Sequence, residues 1–143
     1  MKPRILIPLV TVAVLCNTFF SSPSRATSNY NYKPDEYVVI VHGRSPNGRY
    51  SIASHGEGEF GYDNFHLYLM DARTLKKIGP LEEVKDTLDT GASAFYAKWS
   101  ADSSQVSISY RIDRHTAVMI RYSIKGRRAY IISGPTPVDK LRQ

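Results

Sequence analysis

Apolar and polar residues alternate with a period of two through most of the chain beyond residue 36, and this pattern predicts β-strands. The clearest stretch is 106–112, in which Val106, Ile108 and Tyr110 share one face while polar residues occupy the other. Most of the segments are bounded by Gly, Pro, Asn or Ser, which favour turns. We therefore predict an all-β protein with strands at residues 37–41, 50–54, 65–70, 75–78, 95–99, 106–112, 118–124 and 130–132.

The predicted strands form two sets of four, at about 37–80 and 94–135, that resemble each other. The first and second strands are joined by Ser45-Pro46-Asn47-Gly48 in one set and by Ser100-Ala101-Asp102-Ser103 in the other. The offset of roughly fifty-odd residues is close to the period of roughly 40–50 residues in β-propeller blades. We predict two four-stranded antiparallel meanders that are similar to propeller blades.

Two blades alone leave sheet edges and an apolar face uncovered, because propellers close with about 4–8 blades. The two sheets can pack face to face as a sandwich, copies can associate into a closed ring, or a partner can cover the edge. The apolar content favours the sandwich as the simplest solution. We predict that residues 37–135 form one domain, packed as a sandwich or a half-propeller, in which residues 81–88 alone have the composition of a short helix.

The turns of the two sets carry a family resemblance. Ser45-Pro46-Asn47-Gly48 and Trp99-Ser100-Ala101-Asp102-Ser103 resemble the S-P-D-G and W-S-P-D-G turns of TolB-like and WD40-like β-propeller repeats, although Ala101 and Ser103 replace the proline and the glycine. Residues 67–71 and 74–77 are similar to the strand and turn that follow in those blades, so the resemblance covers nearly all of residues 37–135. The family includes periplasmic scaffolds that bind other proteins. The resemblance therefore implies binding rather than catalysis, and it assigns no functional residue.

The first 26 residues have the pattern of a secretory signal peptide. Lys2 and Arg4 precede an apolar run at residues 5–14, and small residues before the bond favour cleavage after Ala26. The run is short for a membrane span of about 20 residues, which disfavours a retained anchor. We predict a periplasmic or secreted protein, with residues 27–36 as a flexible lead-in and residues 136–143 as a tail.

A lipoprotein cleaved before Cys16 is disfavoured because Leu15 is not small. Cleavage after Ala26 removes Lys2, Arg4 and Arg25, so the formal net charge falls from +6 to +3 and the support for a nucleic-acid partner weakens. It also removes the single cysteine, and with it any disulfide, thiol nucleophile or cysteine metal ligand. We expect no nucleic-acid partner and no membrane span in the mature chain.

The connection between His55 and His66 is the strongest candidate for a binding surface. It contains three carboxylates, the aromatic rings of Phe60 and Tyr62, and no lysine or arginine. Aromatic residues favour interfaces, and long loops on β scaffolds often carry function. We predict a surface contact patch for a basic protein partner, formed by Glu57, Glu59, Phe60, Tyr62 and Asp63. The two histidines lack a compact ligand spacing, so we expect no metal and no cofactor.

Residues 89–92 match the D-T-G-[AS] signature of aspartic proteases. That chemistry requires two aspartates that share a proton, so a chain of this length would have to form a dimer, with Asp89 at the end of a buried strand. The preceding segment, 84–88, is charged and polar. A dimeric aspartic protease is the alternative functional interpretation of this motif. In the structural interpretation, the motif forms a turn between the two sets of strands.

Basic residues cluster around the predicted hairpin at 106–124. We interpret Arg111, Asp113, Arg114, His115 and Arg121 as the solvated face of a sheet with cross-strand charge pairs, and an anion-binding patch as the functional alternative. No nucleophile elbow, phosphate loop or Ser-His-Asp spacing is present in the sequence. We predict an exported, non-catalytic binding or accessory module of the cell envelope that binds a protein partner or self-associates, and the sequence leaves an enzymatic role open.

Overall fold

The fold was analysed in a computed structural model, which describes residues 29–139 and Leu141. The predicted signal peptide at residues 1–26 lies outside the described residues. All eight predicted strands are present, and the last continues to Val138, into the segment predicted as a tail. The strands are β1 (Val38–Arg44), β2 (Tyr50–Glu57), β3 (Asp63–Asp71), β4 (Lys77–Pro80), β5 (Tyr96–Trp99), β6 (Gln105–Arg111), β7 (Ala117–Lys125) and β8 (Arg128–Val138).

The eight strands form one sheet with the order β4-β3-β2-β1-β5-β6-β7-β8. Each set of four is an antiparallel meander, and the two meanders join through their first strands, which run parallel with Val41 opposite Tyr96. The sheet curls into a half-barrel. The predicted all-β fold with two four-stranded meanders is confirmed, in the half-propeller-like arrangement rather than as a stacked sandwich.

The main core lies between the curled walls of this sheet. Both meanders contribute alternate apolar residues to one cluster, as the period-two pattern requires. Tyr110 and Tyr122, which the sequence predicts to be core residues, are 1% and 0% exposed. Trp99 is only partly buried, and its indole donates a hydrogen bond to the carbonyl of Gly43 at 3.2 Å.

The connection between β4 and β5 closes the apolar face that two blades leave open. Leu81 and Val84 of this connection are buried in the main core. The hydroxyl of Tyr122 donates to the carbonyl of Glu82 at 2.5 Å, and that of Tyr110 donates to the carbonyl of Lys85 at 3.3 Å. The segment forms turns rather than the short helix that its composition allowed, because its polar backbone is bound by core tyrosines.

The equivalent turns of the two meanders touch each other. Ser45 and Ser100 each accept a hydrogen bond from a backbone amide five residues later, at 3.0 Å in both turns. The amide of Asn47 donates to the hydroxyl of Ser103 at 3.0 Å and joins the two turns. At the β3–β4 and β7–β8 turns, Arg127 forms an ion pair with Asp71 at 3.0 Å. The repeat seen in the sequence is thus a repeat in the structure.

No helix in the described part of the chain is long and apolar enough to cross a membrane.

Candidate functional site: an acidic aromatic loop

The candidate site is the loop between β2 and β3, at residues 57–63, which we call the acidic aromatic loop. Glu57 and Asp63 pair at the strand ends, and a short 3-10 helix spans Glu59–Gly61. A side chain at position 56 would place its first carbon 2.0 Å from the carbonyl oxygen of Gly61. Only glycine at position 56 permits this tight fold, which brings the predicted acids and rings together at the end of one hairpin.

Phe60 combines a constrained backbone with a solvent-exposed ring. Its φ and ψ angles are 55° and 18°, in the left-handed region, which is unusual for a bulky residue. Its amide donates to Asn31 at 2.7 Å, and its carbonyl accepts from Thr90 at 2.5 Å, so both backbone groups are held. The residue is nevertheless 45% exposed, and the neighbouring Tyr62 is 48% exposed. Packing in the core does not account for an aromatic ring at this position.

Thr90 is the anchor of the loop. Its hydroxyl donates to the carbonyl of Phe60 and accepts from the amide of Tyr30 at 3.3 Å, and the residue is 0% exposed. The carbonyl of Thr90 accepts a hydrogen bond from the hydroxyl of Tyr32. One residue therefore joins three segments that are distant in sequence. The sequence singled out position 90 only as part of the protease-like motif.

The segment before β1 forms one wall of the site. The hydroxyl of Tyr32 lies 2.8 Å from that of Ser54 and accepts a hydrogen bond from it, and burial raises the pKa of the Tyr32 hydroxyl to about 12. The hydroxyl of Tyr62 lies 3.1 Å from the side-chain oxygen of Asn29 and 3.2 Å from the carbonyl oxygen of Leu88, and its single hydrogen is shared between them. These contacts place residues 29–32, within the predicted lead-in, against the loop.

Stacked rings support the hairpin behind the loop. The buried imidazole of His55 stacks on Tyr37 with 4.6 Å between centroids, and Tyr37 meets Tyr68 edge to face at 5.4 Å. The Nδ1 atom of His55 lies 2.6 Å from the carbonyl oxygen of Glu36. The described residues contain no group of three or more potential metal ligands. Its stacking on Tyr37 and its contact with the carbonyl of Glu36 give His55 a packing role in this arrangement.

The three carboxylates of the loop point to solvent. Glu57, Glu59 and Asp63 are all exposed, and Glu57 accepts a hydrogen bond from Asn64 at 3.1 Å. None of the three takes part in the ion pairs found among residues 29–139. Five predicted contact residues thus share one exposed hairpin end: Glu57, Glu59, Phe60, Tyr62 and Asp63.

Asp89 occupies a different environment from the one that the protease interpretation requires. It lies in the irregular connection between β4 and β5, and the residue before it, Leu88, is also outside any strand. The adjacent Thr90 is used to anchor the acidic aromatic loop. At this position the Asp-Thr-Gly sequence is therefore part of an irregular connection in which Thr90 has a structural role.

The prediction of cross-strand charge pairs around the β6–β7 hairpin is wrong for Arg111 and Arg121. Arg111 lies opposite Ala117, and Arg121 lies opposite Ser107. Asp113 instead accepts hydrogen bonds from backbone amides of its own turn. These bonds, chiefly the one from the amide of His115, lower the pKa of the Asp113 carboxyl group. These arginines are left without acidic partners among the described residues.

Comparison of the chain with protein-family models, with curated proteins and with solved structures found no significant match.

Proposed function

We propose that this chain is an exported, non-catalytic binding module of the cell envelope, built from two TolB-like or WD40-like blades. The acidic aromatic loop is its contact surface. The observation that carries the proposal is Phe60, whose backbone is clamped by Asn31 and Thr90 while its ring is left exposed. Backbone strain at an exposed aromatic residue is typical of a functional position.

The charge of the loop supports a basic partner. Glu57, Glu59 and Asp63 surround the rings, and no basic residue lies between His55 and His66. A basic protein surface with an apolar centre would complement this arrangement, because interface energy concentrates in aromatic anchors surrounded by polar contacts. The charges would accelerate association and the rings would hold the complex.

Quantitative affinity capture with tagged residues 27–143 tests the proposal. The double variant Phe60→Ser/Tyr62→Ser should reduce capture of the partner at least about tenfold, since an aromatic anchor contributes about 2 kcal/mol or more. Leu75→Ser is a matched control, because Leu75 is also an exposed apolar residue with positive φ in a turn. Undiminished capture by the folded double variant would refute the proposal.

A second pair of variants separates charge from ring contacts. Glu57→Gln/Glu59→Gln/Asp63→Asn should slow association and weaken its dependence on salt. Glu82→Gln/Glu83→Gln removes exposed acids elsewhere and should have little effect. Surface plasmon resonance with the captured partner measures both rates.

A further inference from the structure

We propose that the basic partner of the acidic aromatic loop is a second copy of this chain, docked on the outer face of β5–β8. This inference rests on the loop being the contact surface. It adds a docking site and predicts head-to-tail association, since the loop and the face are different surfaces of one chain.

Charge is segregated in the second meander. Strands β5 to β8 contain no aspartate or glutamate, and their basic residues are Lys98, Arg111, Arg121, Lys125 and Arg128. The strand register places all of them on one side. Lys98 lies opposite Ser107, which lies opposite Arg121, and Lys125 lies opposite Arg128.

This side of the sheet is opposite the core, because the alternating residues Ala97, Ile108 and Ile120 point to the interior. We call it the basic face. All of its cations are exposed. None of them forms an ion pair within the described ranges.

Apolar and polar side chains lie between the cations. Tyr96, Ser109 and Met119 are opposite one another on β5, β6 and β7. A cavity of about 920 Å³ opens here, lined by residues that include Lys98, Met119 and Arg121, together with Asp139 after β8. It offers a place for an aromatic ring, with two cations and one carboxylate among its lining residues.

The acidic aromatic loop is complementary in charge to this cavity. Lys98 and Arg121 are two strands apart, which is about 10 Å between their backbones. Glu57 and Asp63 face each other across the β2–β3 hairpin, with Glu59 and Phe60 at its tip. The ring of Phe60 lies at the tip of a hairpin that carries carboxylates on both strands, and it suits a cavity lined by Lys98 and Arg121. A second copy supplies both the charge and the ring that the face lacks.

Two complementary variants of residues 27–143 test this docking. The loop variant, Glu59→Gln/Phe60→Ser/Asp63→Asn, keeps an intact face, and the face variant, Lys98→Gln/Arg121→Gln, keeps an intact loop. Each variant alone should be monomeric by light scattering. An equimolar mixture should form a dimer and nothing larger, because only one productive interface remains between the two chains.

The wild-type chain should increase in mass between about 10 µM and about 1 mM, the range expected for a small polar interface. The association should be lost in about 0.5 M NaCl, where the Debye length is about 4 Å. Arg73→Gln/Lys76→Gln is the matched control, since it removes two exposed cations from the β3–β4 turn and should associate like the wild type. Circular dichroism establishes that every variant is folded.

Three results would overturn the inference: a wild-type chain that stays monomeric over this range, a mixture of the two variants that does not associate, or a control that is also monomeric. Binding of the monomeric chain to anionic vesicles through the basic face would likewise assign the face to another occupant. If the chain is monomeric but Phe60→Ser/Tyr62→Ser still abolishes capture of another protein, the proposed binding function stands and self-association alone fails.

Discussion

Replacing Thr90 with valine is expected to loosen the acidic aromatic loop and lower the stability of the protein. Valine keeps the shape of threonine but cannot donate to the carbonyl of Phe60 or accept from the amide of Tyr30. Thr90 itself is 0% exposed, so water does not readily replace the lost partner. The change tests whether the Asp-Thr-Gly turn holds the loop.

The magnitude follows from the two hydrogen bonds. Each contributes about 1 kcal/mol net, and leaving a partner unsatisfied costs about 1–3 kcal/mol. We expect a total loss of about 2 kcal/mol, a large share of a stability of about 5–15 kcal/mol. Thr90→Ser keeps the hydroxyl and loses one methyl group, which costs about 0.8 kcal/mol. The valine variant should therefore be the less stable of the two.

Urea unfolding of residues 27–143 measures both changes through the midpoint and slope of the transition. A local readout is cleavage by a glutamate-specific protease, because Glu57 and Glu59 lie in the loop. Thr90→Val should accelerate cleavage there by more than Thr90→Ser does. If the valine variant is as stable as the wild type and is cleaved no faster, Thr90 does not anchor the loop.

Two further predictions concern the core and pH. Phe95→Ala should lower the free energy of unfolding by about 3–5 kcal/mol, because Phe95 is 0% exposed. Trp99→Ala should lower it by less, because the indole is only partly buried. Equal shifts of the melting temperature in the two variants would contradict this difference. Hydrogen bonds from the amide of Thr74 and from Arg127 lower the pKa of Asp71 from 3.8 to about 2. Its stabilising contribution is therefore present above pH 4 and lost as pH falls towards 2, and Asp71→Asn should weaken the fall in melting temperature over this window.

Local patterns in the sequence predict the strands and their grouping. The alternation in 106–112 and the turn residues at 45–48 act over a few positions, so they can be recognised without knowing the rest of the fold. The junction between β1 and β5 depends on a contact between residues 55 positions apart, Val41 and Tyr96. The path of residues 81–95 across the core is also non-local. A sequence pattern contains no direct signal for either.

The candidate site likewise combines local features that the sequence shows with non-local contacts that it does not show. Rings and acids at 57–63 are visible in the sequence, but their support comes from Thr90, whose hydrogen-bond partners lie 30 and 60 residues away. The short motif around Asp89 even suggests another role for that segment. The basic face was only partly recognised, in Arg111 and Arg121, because its cations are spread over four strands. The period-two pattern of each strand, combined with the register between all four strands, would have placed these cations on one face.

The distribution of charge is difficult to explain by folding alone. Opposite charges placed across neighbouring strands stabilise a sheet by about 0.2–1 kcal/mol per pair, yet the cations of β5 to β8 lie opposite serine, alanine or one another. Lys125 and Arg128 are directly opposed, which is unfavourable in the isolated chain. Phe60 likewise adopts a backbone conformation that costs a bulky residue about 1–2 kcal/mol. Both surfaces therefore carry a local cost that a complementary partner would offset, and their charges are opposite in sign.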